Sequence, residues 1–205
     1  YSAVSSDGKN WTQETGTRME WAIFPSVLKL PDGRYRMYFQ NQGVIKSAIS
    51  SDGLSWTSEP GTRIDAANSL GLTFINVGSP TVIKTGNLYI MGYFGAINQK
   101  YTGAGMVPNN ETHLLLWATS EDGLTFVSKG IAMDSRNAEF KGWLDGPDFV
   151  KWDDGSVRLY LWSYRGVYHA DFKNDTFSQN AQFDYTASSD PKIQFPQNPP
   201  GDPTL

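Results

Sequence analysis

The sequence predicts an all-β fold, a β-propeller of four-stranded antiparallel blades, and three observations support this prediction. A turn of the form Ser-x-Asp-Gly, followed by an aromatic residue, recurs along the chain. A second unit, in which a proline leads an apolar run, a glycine turn and a tyrosine-rich strand, recurs between these turns. No segment keeps the i, i+3, i+4, i+7 apolar spacing of an amphipathic helix. Self-similar β-units of this kind are typical of propellers.

The composition narrows the possible functions. The chain has 205 residues, a formal net charge of −4 and 39% hydrophobic residues, which suits one domain with a sizeable core. The mild acidity, without a basic patch among the aromatic residues, argues against a nucleic-acid partner. No apolar run is long enough for membrane insertion, and the absence of cysteine excludes disulfides and thiolate metal sites.

The first repeat is a turn-containing segment. It begins at Ser5 with SSDGKNWTQETGTRM and at Ser50 with SSDGLSWTSEPGTRI. A looser copy, SEDGLTFVSKG, begins at Ser120, and DFKNDTFSQ from Asp171 keeps the aromatic residue. A residue that recurs in every blade is expected to maintain every blade. The sequence therefore predicts structural roles in tight turns, rather than catalytic ones, for Asp7, Asp52 and Asp122, and likewise for Arg18 and Arg63.

The second repeat predicts the innermost strand of each blade and the strand that follows it. Its copies are FPSVLKLPDGRYRMYF from Phe24, SPTVIKTGNLYIMGYF from Ser79 and GPDFVKWDDGSVRLYLW from Gly146, and GDPTL at the C-terminus restarts it. After each glycine turn the apolar residues alternate with period two, as in a hairpin strand. The approximate blades are residues 1–22 (the end of a blade), 23–77, 78–144 and 145–200, with 201–205 starting the next.

Two further expectations concern the extent of the domain. The polar, glycine-rich segment 98–112 is interpreted as an insertion that lengthens the middle unit. A propeller must close to remove its open sheet edges. We therefore expect the 205 residues to form a single partial domain of a longer chain, with at least one more blade.

Two motifs in the third unit carry a family resemblance. WLDGPDFVKW, residues 143–152, resembles the Glu-Cys-Pro-Asp-Phe motif of glycoside hydrolase family 32 and the Glu-Gly-Pro of family 43. VYHADFKNDTF, residues 167–177, resembles the Tyr-x-x-Gly-Asp-Phe-Asp-Gly-x-x-Phe that follows in family 32. With the proline-led strands, the chain is similar to the five-bladed propeller glycosidases of families 32, 43 and 68, the arabinanase, levansucrase and invertase superfamily. The resemblance implies hydrolysis of glycosidic bonds by paired carboxylates in a central funnel.

The resemblance also implies site residues. The glutamate of the motif is the general acid in those families, and Asp145, one methylene shorter, stands at its position. Asp148 matches the aspartate of the motif. Ser79 stands where the families place an aspartate before a proline as transition-state stabiliser, and Phe24 takes the analogous position in the first unit. A second catalytic carboxylate is then expected outside these residues. Alternatively, Asp145 and Asp148 cap a Gly-Pro turn, as aspartates commonly do.

Aromatic residues near this motif are candidates for sugar binding, because an aromatic face buries the apolar face of a sugar ring. Trp143 precedes Asp145, and Trp162, with Tyr164 and Arg165, lies on the next predicted strand. Trp21 is a further candidate. The alternative is that these aromatics pack between blades. The predicted substrate-binding residues are Trp143, Asp148, Ser79, Trp162 and Arg165.

No cofactor and no metal site are expected, because His113 and His169 do not form a metal-binding pattern with a nearby carboxylate pair. The expected partner is an oligosaccharide or polysaccharide, which implies an extracellular or periplasmic location, and no oligomeric state is predicted. Two alternatives stay open. One is a non-catalytic carbohydrate-binding propeller, which Ser79 favours. The other is a sialidase-like hydrolase, which needs three converging arginines and has as candidates Arg136, Arg158 and Arg165.

Overall fold

The computed structural model describes residues 1–67, 70–100, 111–163, 165–178 and 181–186. Every regular element in these residues is a β-strand. The strands are β1 (Ala3–Val4), β2 (Thr12–Gln13), β3 (Ile23–Lys29), β4 (Tyr35–Asn41), β5 (Val44–Ser50), β6 (Thr57–Ser58), β7 (Phe74–Thr85), β8 (Leu88–Ile97), β9 (Thr112–Ser120), β10 (Val127–Met133), β11 (Asp145–Lys151), β12 (Val157–Ser163), β13 (Gly166–Lys173), β14 (Thr176–Phe177) and β15 (Gln182–Thr186).

These strands form three larger antiparallel sheets in chain order. The first sheet has the order β3-β4-β5-β6, the second β7-β8-β9-β10, and the third β11-β12-β13-β14 with β15 also paired to β13. Strands β1 and β2 form a separate two-stranded ladder. The all-β class and its four-stranded antiparallel units are therefore confirmed. Among the described residues, no helix exists that could cross a membrane.

The first strands of the three sheets lie next to one another. Strand β7 contacts both β3 and β11, and residues of all three strands line one cavity. Strand β7 runs across the blade boundary predicted between residues 77 and 78, because the pairing with β8 continues to Phe74. Most of the predicted insertion 98–112, and the predicted restart at 201–205, lie outside the described residues.

Neighbouring sheets pack against each other around two hydrophobic cores. Between the first and second sheets the buried cluster includes Tyr38, Met91 and Leu116. Between the second and third sheets it includes Leu115 and Tyr168. Successive side chains of a strand point to opposite faces, so the adjacent leucines of β9 enter different cores. The second sheet is buried on both faces, which explains why its strands β8 and β9 are nearly continuous apolar runs.

The Ser-x-Asp-Gly turns share one hydrogen-bond pattern in three places. Asp52 Oδ1 accepts the main-chain N–H groups of Leu54 and Ser55, at 2.8 and 2.7 Å. Asp7 and Asp122 make the equivalent pairs of bonds. Main-chain donors stabilise the ionised carboxylate, and they hold the pKa of all three aspartates well below its usual range. Carboxylates held in this way serve the turns and are poor proton donors.

The first and second sheets are joined by side chains that bind one of these turns. Three donors bind the consecutive carbonyl oxygens of residues 122–124: Arg36 Nη1 at 3.1 Å, Tyr38 Oη at 2.9 Å and Arg63 Nη1 at 2.8 Å. Glu59 holds the Arg36 guanidinium with two bonds of 2.9 Å. The two arginines and the tyrosine of the first sheet thus hold the turn of the second sheet in place.

Candidate active site

Each innermost strand contains a β-bulge at its proline. The pairing register shifts between residues 23 and 26, 78 and 81, and 145 and 148. The residue before the proline has a positive φ in all three strands: 50° at Phe24, 44° at Ser79 and 56° at Gly146. This left-handed conformation costs a residue with a side chain about 1–3 kcal/mol, whereas glycine adopts it freely. The strain therefore lies at Phe24 and Ser79, and both residues line the central cavity.

The central cavity has a volume of about 470 Å³, which is in the range of small-molecule sites. Two of the predicted substrate-binding residues, Ser79 and Asp148, line it. Hydroxyl groups join the strands around it. The N–H of Val82 donates to Ser26 Oγ at 3.1 Å, and the hydroxyl of Thr81 donates to Asp148 Oδ1 at 3.3 Å. Asp148 therefore places a carboxyl group on the cavity wall.

Asp145 is the first residue of β11 and stands two positions before its proline. The equivalent positions in β3 and β7 are Ile23 and Gly78. A Cβ atom at Gly78 would collide with the side chain of Gln40. The amide oxygen of Gln40 also accepts the N–H of Ser79 at 3.2 Å, so the space next to Gly78 is occupied by Gln40. Of the three equivalent positions, Asp145 alone carries a carboxyl group.

Two groups hold the carboxyl group of Asp145. The N–H of Gly146 donates to Oδ1 at 2.7 Å, and Nδ1 of His113 lies 3.2 Å from Oδ2. The Asp145 side chain is 15% exposed, so it is shielded from bulk water but still accessible. On the neighbouring strand, Trp162 is its register partner. This setting combines a partly buried carboxyl group with an aromatic neighbour.

His113, at the start of β9, is held rigidly beside Asp145. Its ring stacks between Phe94, at a centroid distance of 4.4 Å and an angle of 2°, and Trp143, at 3.8 Å and 20°. A main-chain hydrogen bond also holds His113 in place, because its N–H donates to Gly142 O at 2.9 Å. Its other ring nitrogen, Nε2, lies 3.3 Å from Oε1 of Glu111.

The two ring nitrogens of His113 face different carboxyl groups, so the three side chains do not converge on one point. Within the part of the chain that the structure describes, no group of three or more His, Cys, Asp or Glu side chains is arranged to hold a metal ion. The arrangement is suited to hydrogen bonding and proton movement, because an imidazole has one donor or acceptor on each side.

The structure brings Trp143 and Trp162 together near Asp145. Their ring centroids are 6.3 Å apart, with an interplanar angle of 47°. The indole Nε1 of Trp162 is buried and has no hydrogen-bond partner among the described residues. A buried donor of this kind can bind a hydroxyl group, which would remove the penalty of leaving it unsatisfied.

The remaining predicted residues occupy different places. Arg165 does not line the cavity, and it forms an ion pair with Glu139 at 2.8 Å. Glu139 also accepts the hydroxyl of Tyr168 at 2.6 Å. Trp21 precedes β3 and is 81% exposed. Tyr164 lies outside the described residues.

The three arginines of the sialidase alternative do not converge. Each one pairs with its own carboxylate, at 2.6, 3.2 and 2.8 Å. A sialidase site requires guanidinium groups that converge on one substrate carboxylate. The separate partners argue against that alternative. The pairs are Arg136 with Asp134, Arg158 with Asp171 and Arg165 with Glu139.

Sequence reasoning did not single out Glu111, and it considered His113 only as a metal ligand. One signal was present: the two residues are separated by one position at the start of a strand, and residues spaced in this way point to the same face. The second signal, the stack on Phe94 and Trp143, depends on three distant segments. Only the packed structure brings those segments together.

Comparison with solved structures relates the chain to a known fold. An endo-1,4-β-xylanase from Bacteroides thetaiotaomicron matches with a TM-score of 0.65 and 19% identity, over 87% of this chain and 67% of that one. A thermostable family-43 glycoside hydrolase matches with 0.61 and 17%, over 78% and 52%. An endo-arabinase from Bacteroides thetaiotaomicron matches with 0.59 and 16%, over 82% and 57%.

The chain thus spans from about half to two-thirds of the length of these structures. No family model and no curated protein matches the sequence. At such identities the likeness shows the fold: the chain has the fold of the β-propeller glycosidases, as an incomplete propeller. This confirms the predicted fold class, and it confirms the resemblance to those glycosidases at the level of the fold. The total of five blades stays a prediction, as do the roles of the site residues.

Proposed function

We propose that this protein is a glycoside hydrolase acting on an oligosaccharide or polysaccharide, with Asp145 as its general acid. The observation that carries the proposal is the position of Asp145. It is the one carboxyl group among the three equivalent positions, its register partner is Trp162, and the residues that follow it, 146–149, line the central cavity. The fold shared with structures described as a family-43 hydrolase, a xylanase and an arabinase supports a carbohydrate substrate.

In this mechanism the carboxyl group of Asp145 gives its proton to the glycosidic oxygen while the bond to the anomeric carbon breaks. A second carboxylate activates water as a base or attacks the anomeric carbon as a nucleophile. The two positions before the proline are Ile23 and Phe24 in β3, and they are Gly78 and Ser79 in β7. None of these residues has a carboxyl group. We therefore assign the second carboxylate to a part of the full-length protein beyond these residues.

Substrate binding is assigned to the surrounding residues. Trp143 and Trp162 pack against sugar rings, while Asp148 and Ser79 bind hydroxyl groups from the cavity wall. Arg165, held by Glu139, binds a hydroxyl at the periphery. Because the substrate is an oligomer or polymer of sugars, the protein acts outside the cytoplasm, in the periplasm or the extracellular medium.

The test is product release by the full-length protein from fructans, arabinans, xylo-oligosaccharides and sialosides. Asp145→Asn should reduce turnover by about 10²- to 10⁴-fold, the usual effect of losing a general acid. Asp153→Asn is the matched control, because Asp153 is an exposed residue in the turn at the other end of β11. Full turnover in Asp145→Asn would remove the assignment.

A second candidate is a carbohydrate-binding propeller without catalysis. Ser79 and Phe24 favour it, because they stand where the resembling families carry aspartates. Both residues also have a strained backbone conformation at the β-bulge. Binding of a sugar from the same panel, with no product from any of them, would support this candidate. The two outcomes are distinguished in one experiment by measuring binding and product release together.

A further inference from the structure

A cavity of about 790 Å³ lies between the second and third sheets, and we call it the outer cavity. Phe172 of β13 lines it, and the register partner of Phe172 on β12 is Val157. Asp145 pairs with Trp162, five positions further along β12, which corresponds to about 17 Å. The outer cavity is therefore separate from the candidate active site.

The outer cavity exists because the side chains that join the first two sheets have no counterpart here. On β4, Arg36 and Tyr38 reach the turn of the second sheet. Ile90 and Gly92 occupy the equivalent positions on β8, one and three residues after the tyrosine that pairs with the serine of the turn. Neither a guanidinium group nor a phenol extends from these two positions toward the third sheet.

An aromatic residue of the outer cavity stands where the first sheet has a small polar one. Trp117 occupies the position on β9 that Ser47 occupies on β5. Its ring packs nearly perpendicular to Phe172 and Phe177, at centroid distances of 5.8 and 5.4 Å. The Trp117 side chain is only partly buried, so a fixed aromatic surface faces the cavity. A rigid ring of this kind binds the apolar face of a sugar with little loss of conformational entropy.

Charged side chains of both signs surround this aromatic surface. Glu121 and Asp175 bring carboxylates to the rim, and Lys129 brings an ammonium group. All three are exposed, and within the described part of the chain their side chains form no hydrogen bond or ion pair. Lys129 stands three residues after the aromatic residue of its turn, where the first sheet carries Glu59, the partner of Arg36. The rim groups are therefore available to a ligand.

The mixed charge of the rim favours a neutral ligand with many hydroxyl groups. Carboxylates accept hydrogen bonds and an ammonium group donates them, whereas a sugar hydroxyl does both. An anionic ligand would face Glu121 and Asp175, and a cationic ligand would face Lys129. Leu88 and Val127 extend the apolar wall, which suits the C–H face of a sugar ring. The volume lies in the range of small-molecule sites and exceeds that of the central cavity.

We propose that the outer cavity is a second, non-catalytic carbohydrate-binding site. It holds a distant part of the oligosaccharide or polysaccharide that the candidate active site cleaves, so the inference rests on the proposed function for the choice of sugar. Binding at one site makes binding at the other intramolecular, which raises the effective concentration of substrate. The benefit is therefore expected for long substrates, which can reach both sites, and not for short ones.

The test measures the stoichiometry of binding to the full-length Asp145→Asn protein, in which the ligand is not consumed. Calorimetric titration with the oligosaccharide of the panel that binds most tightly should give two sites per chain. Added to this background, Trp117→Leu should weaken one site by about tenfold, the scale of one aromatic contact. The double variant Glu121→Gln/Lys129→Met should weaken the same site by about three- to tenfold, since it removes charged hydrogen-bond partners. The other site should keep its affinity.

Kinetics on the otherwise unchanged protein give a second measurement. The double rim variant should raise KM for the polysaccharide about three- to tenfold relative to KM for an aryl glycoside that reaches only the active site. Lys9→Met/Glu20→Gln is the matched control, because both residues are exposed and lie outside the cavity lining. The rim variant alters only exposed side chains, so it tests the cavity even if Trp117→Leu does not fold.

The outcomes separate this inference from the proposed function. One site in the Asp145→Asn protein, or two sites that the cavity variants leave unchanged, overturns the outer site, while product release still decides the hydrolase assignment. If no sugar yields product but the cavity variants weaken one of two sites, the hydrolase assignment fails and the outer site stands. Binding of no sugar overturns the outer site, and so does tighter binding of a lysine-rich peptide that Glu121→Gln/Lys129→Met abolishes.

Discussion

The hydroxyl group of Tyr38 donates a hydrogen bond of 2.9 Å to the main-chain oxygen of Gly123, which lies in the turn of the neighbouring sheet. The phenol is fully buried, and Arg36 and Arg63 bind the carbonyl groups on either side of this bond. The turn is therefore part of the packing between sheets as well as a local structure.

Gly123→Ala should destabilise the fold strongly. A Cβ atom there would lie 2.6 Å from Arg36 Nη1 and 2.8 Å from Tyr38 Oη, and the φ of Gly123 is +71°. The combined crowding and backbone strain should lower the free energy of unfolding by about 3 kcal/mol. Gly53→Ala is the matched control, because Gly53 has a φ of +75° in the equivalent turn but open space around it. Urea unfolding measures both, and equal losses would show that the contact is not responsible.

Stability should fall in alkaline solution because of Tyr38. Burial raises the pKa of Tyr38 from 10.0 to about 12. Between these values the unfolded chain loses the phenolic proton while the folded protein keeps it, so rising pH favours unfolding. The contribution of this group is complete below pH 10 and declines by about 1.4 kcal/mol per pH unit until pH 12. Tyr38→Phe should flatten the decline of urea midpoints in this range, and an unchanged slope would contradict the assignment.

Stability should also fall in acid because of the Ser-x-Asp-Gly turns. Main-chain hydrogen bonds hold the pKa of Asp122 below its ordinary value of 3.8. As the pH falls below that value, the unfolded chain takes up the proton first, so the stabilising contribution present above it is lost. Asp122→Asn should make the decline of stability below pH 4 shallower. The effect should persist in 1 M salt, because hydrogen bonds rather than ion pairs are its cause; a slope that disappears in salt would argue otherwise.

Trp162→Phe should weaken the binding of carbohydrate. The substitution removes a buried indole N–H and part of an aromatic surface next to Asp145. We expect KM to rise about tenfold, which corresponds to the scale of one aromatic contact with a hydrogen bond. Trp152→Phe is the control, because Trp152 is 42% exposed and lies at the end of β11 away from Asp145. Equal effects of the two substitutions would remove Trp162 from the site.

Much of the fold could be predicted because its signals are local. The turn aspartates bind main-chain N–H groups two and three residues away, so the sequence motif and the hydrogen bonds coincide at Asp52 and its equivalents. The innermost strands were recognised from a proline followed by an apolar run. The bulges before these prolines could not be predicted, because proline disfavours a helical conformation of the preceding residue, and Ser79 nevertheless has a φ of 44°.

Asp145 shows which parts of the candidate site could be predicted from the sequence. Its motif predicts it as the acid, and Trp162, predicted as a sugar-binding residue on the next strand, is its register partner. Arg165 is predicted to bind substrate with them because it is close in sequence, but its side chain forms an ion pair with Glu139. Proximity along a hairpin places residues at the same end of a sheet and leaves open which neighbour each side chain binds.

The sequence by itself determined the class of the fold, the repeating turns and the strand that bears Asp145, because each depends on interactions within about ten residues. Only the tertiary structure placed His113 against Asp145 and Tyr38 against Gly123, since these pairs are separated by 32 and 85 positions in the chain. Such contacts form when whole sheets pack face to face. Their geometry depends on the strand register and the bulges of two sheets at once, and no single segment of the sequence contains that information.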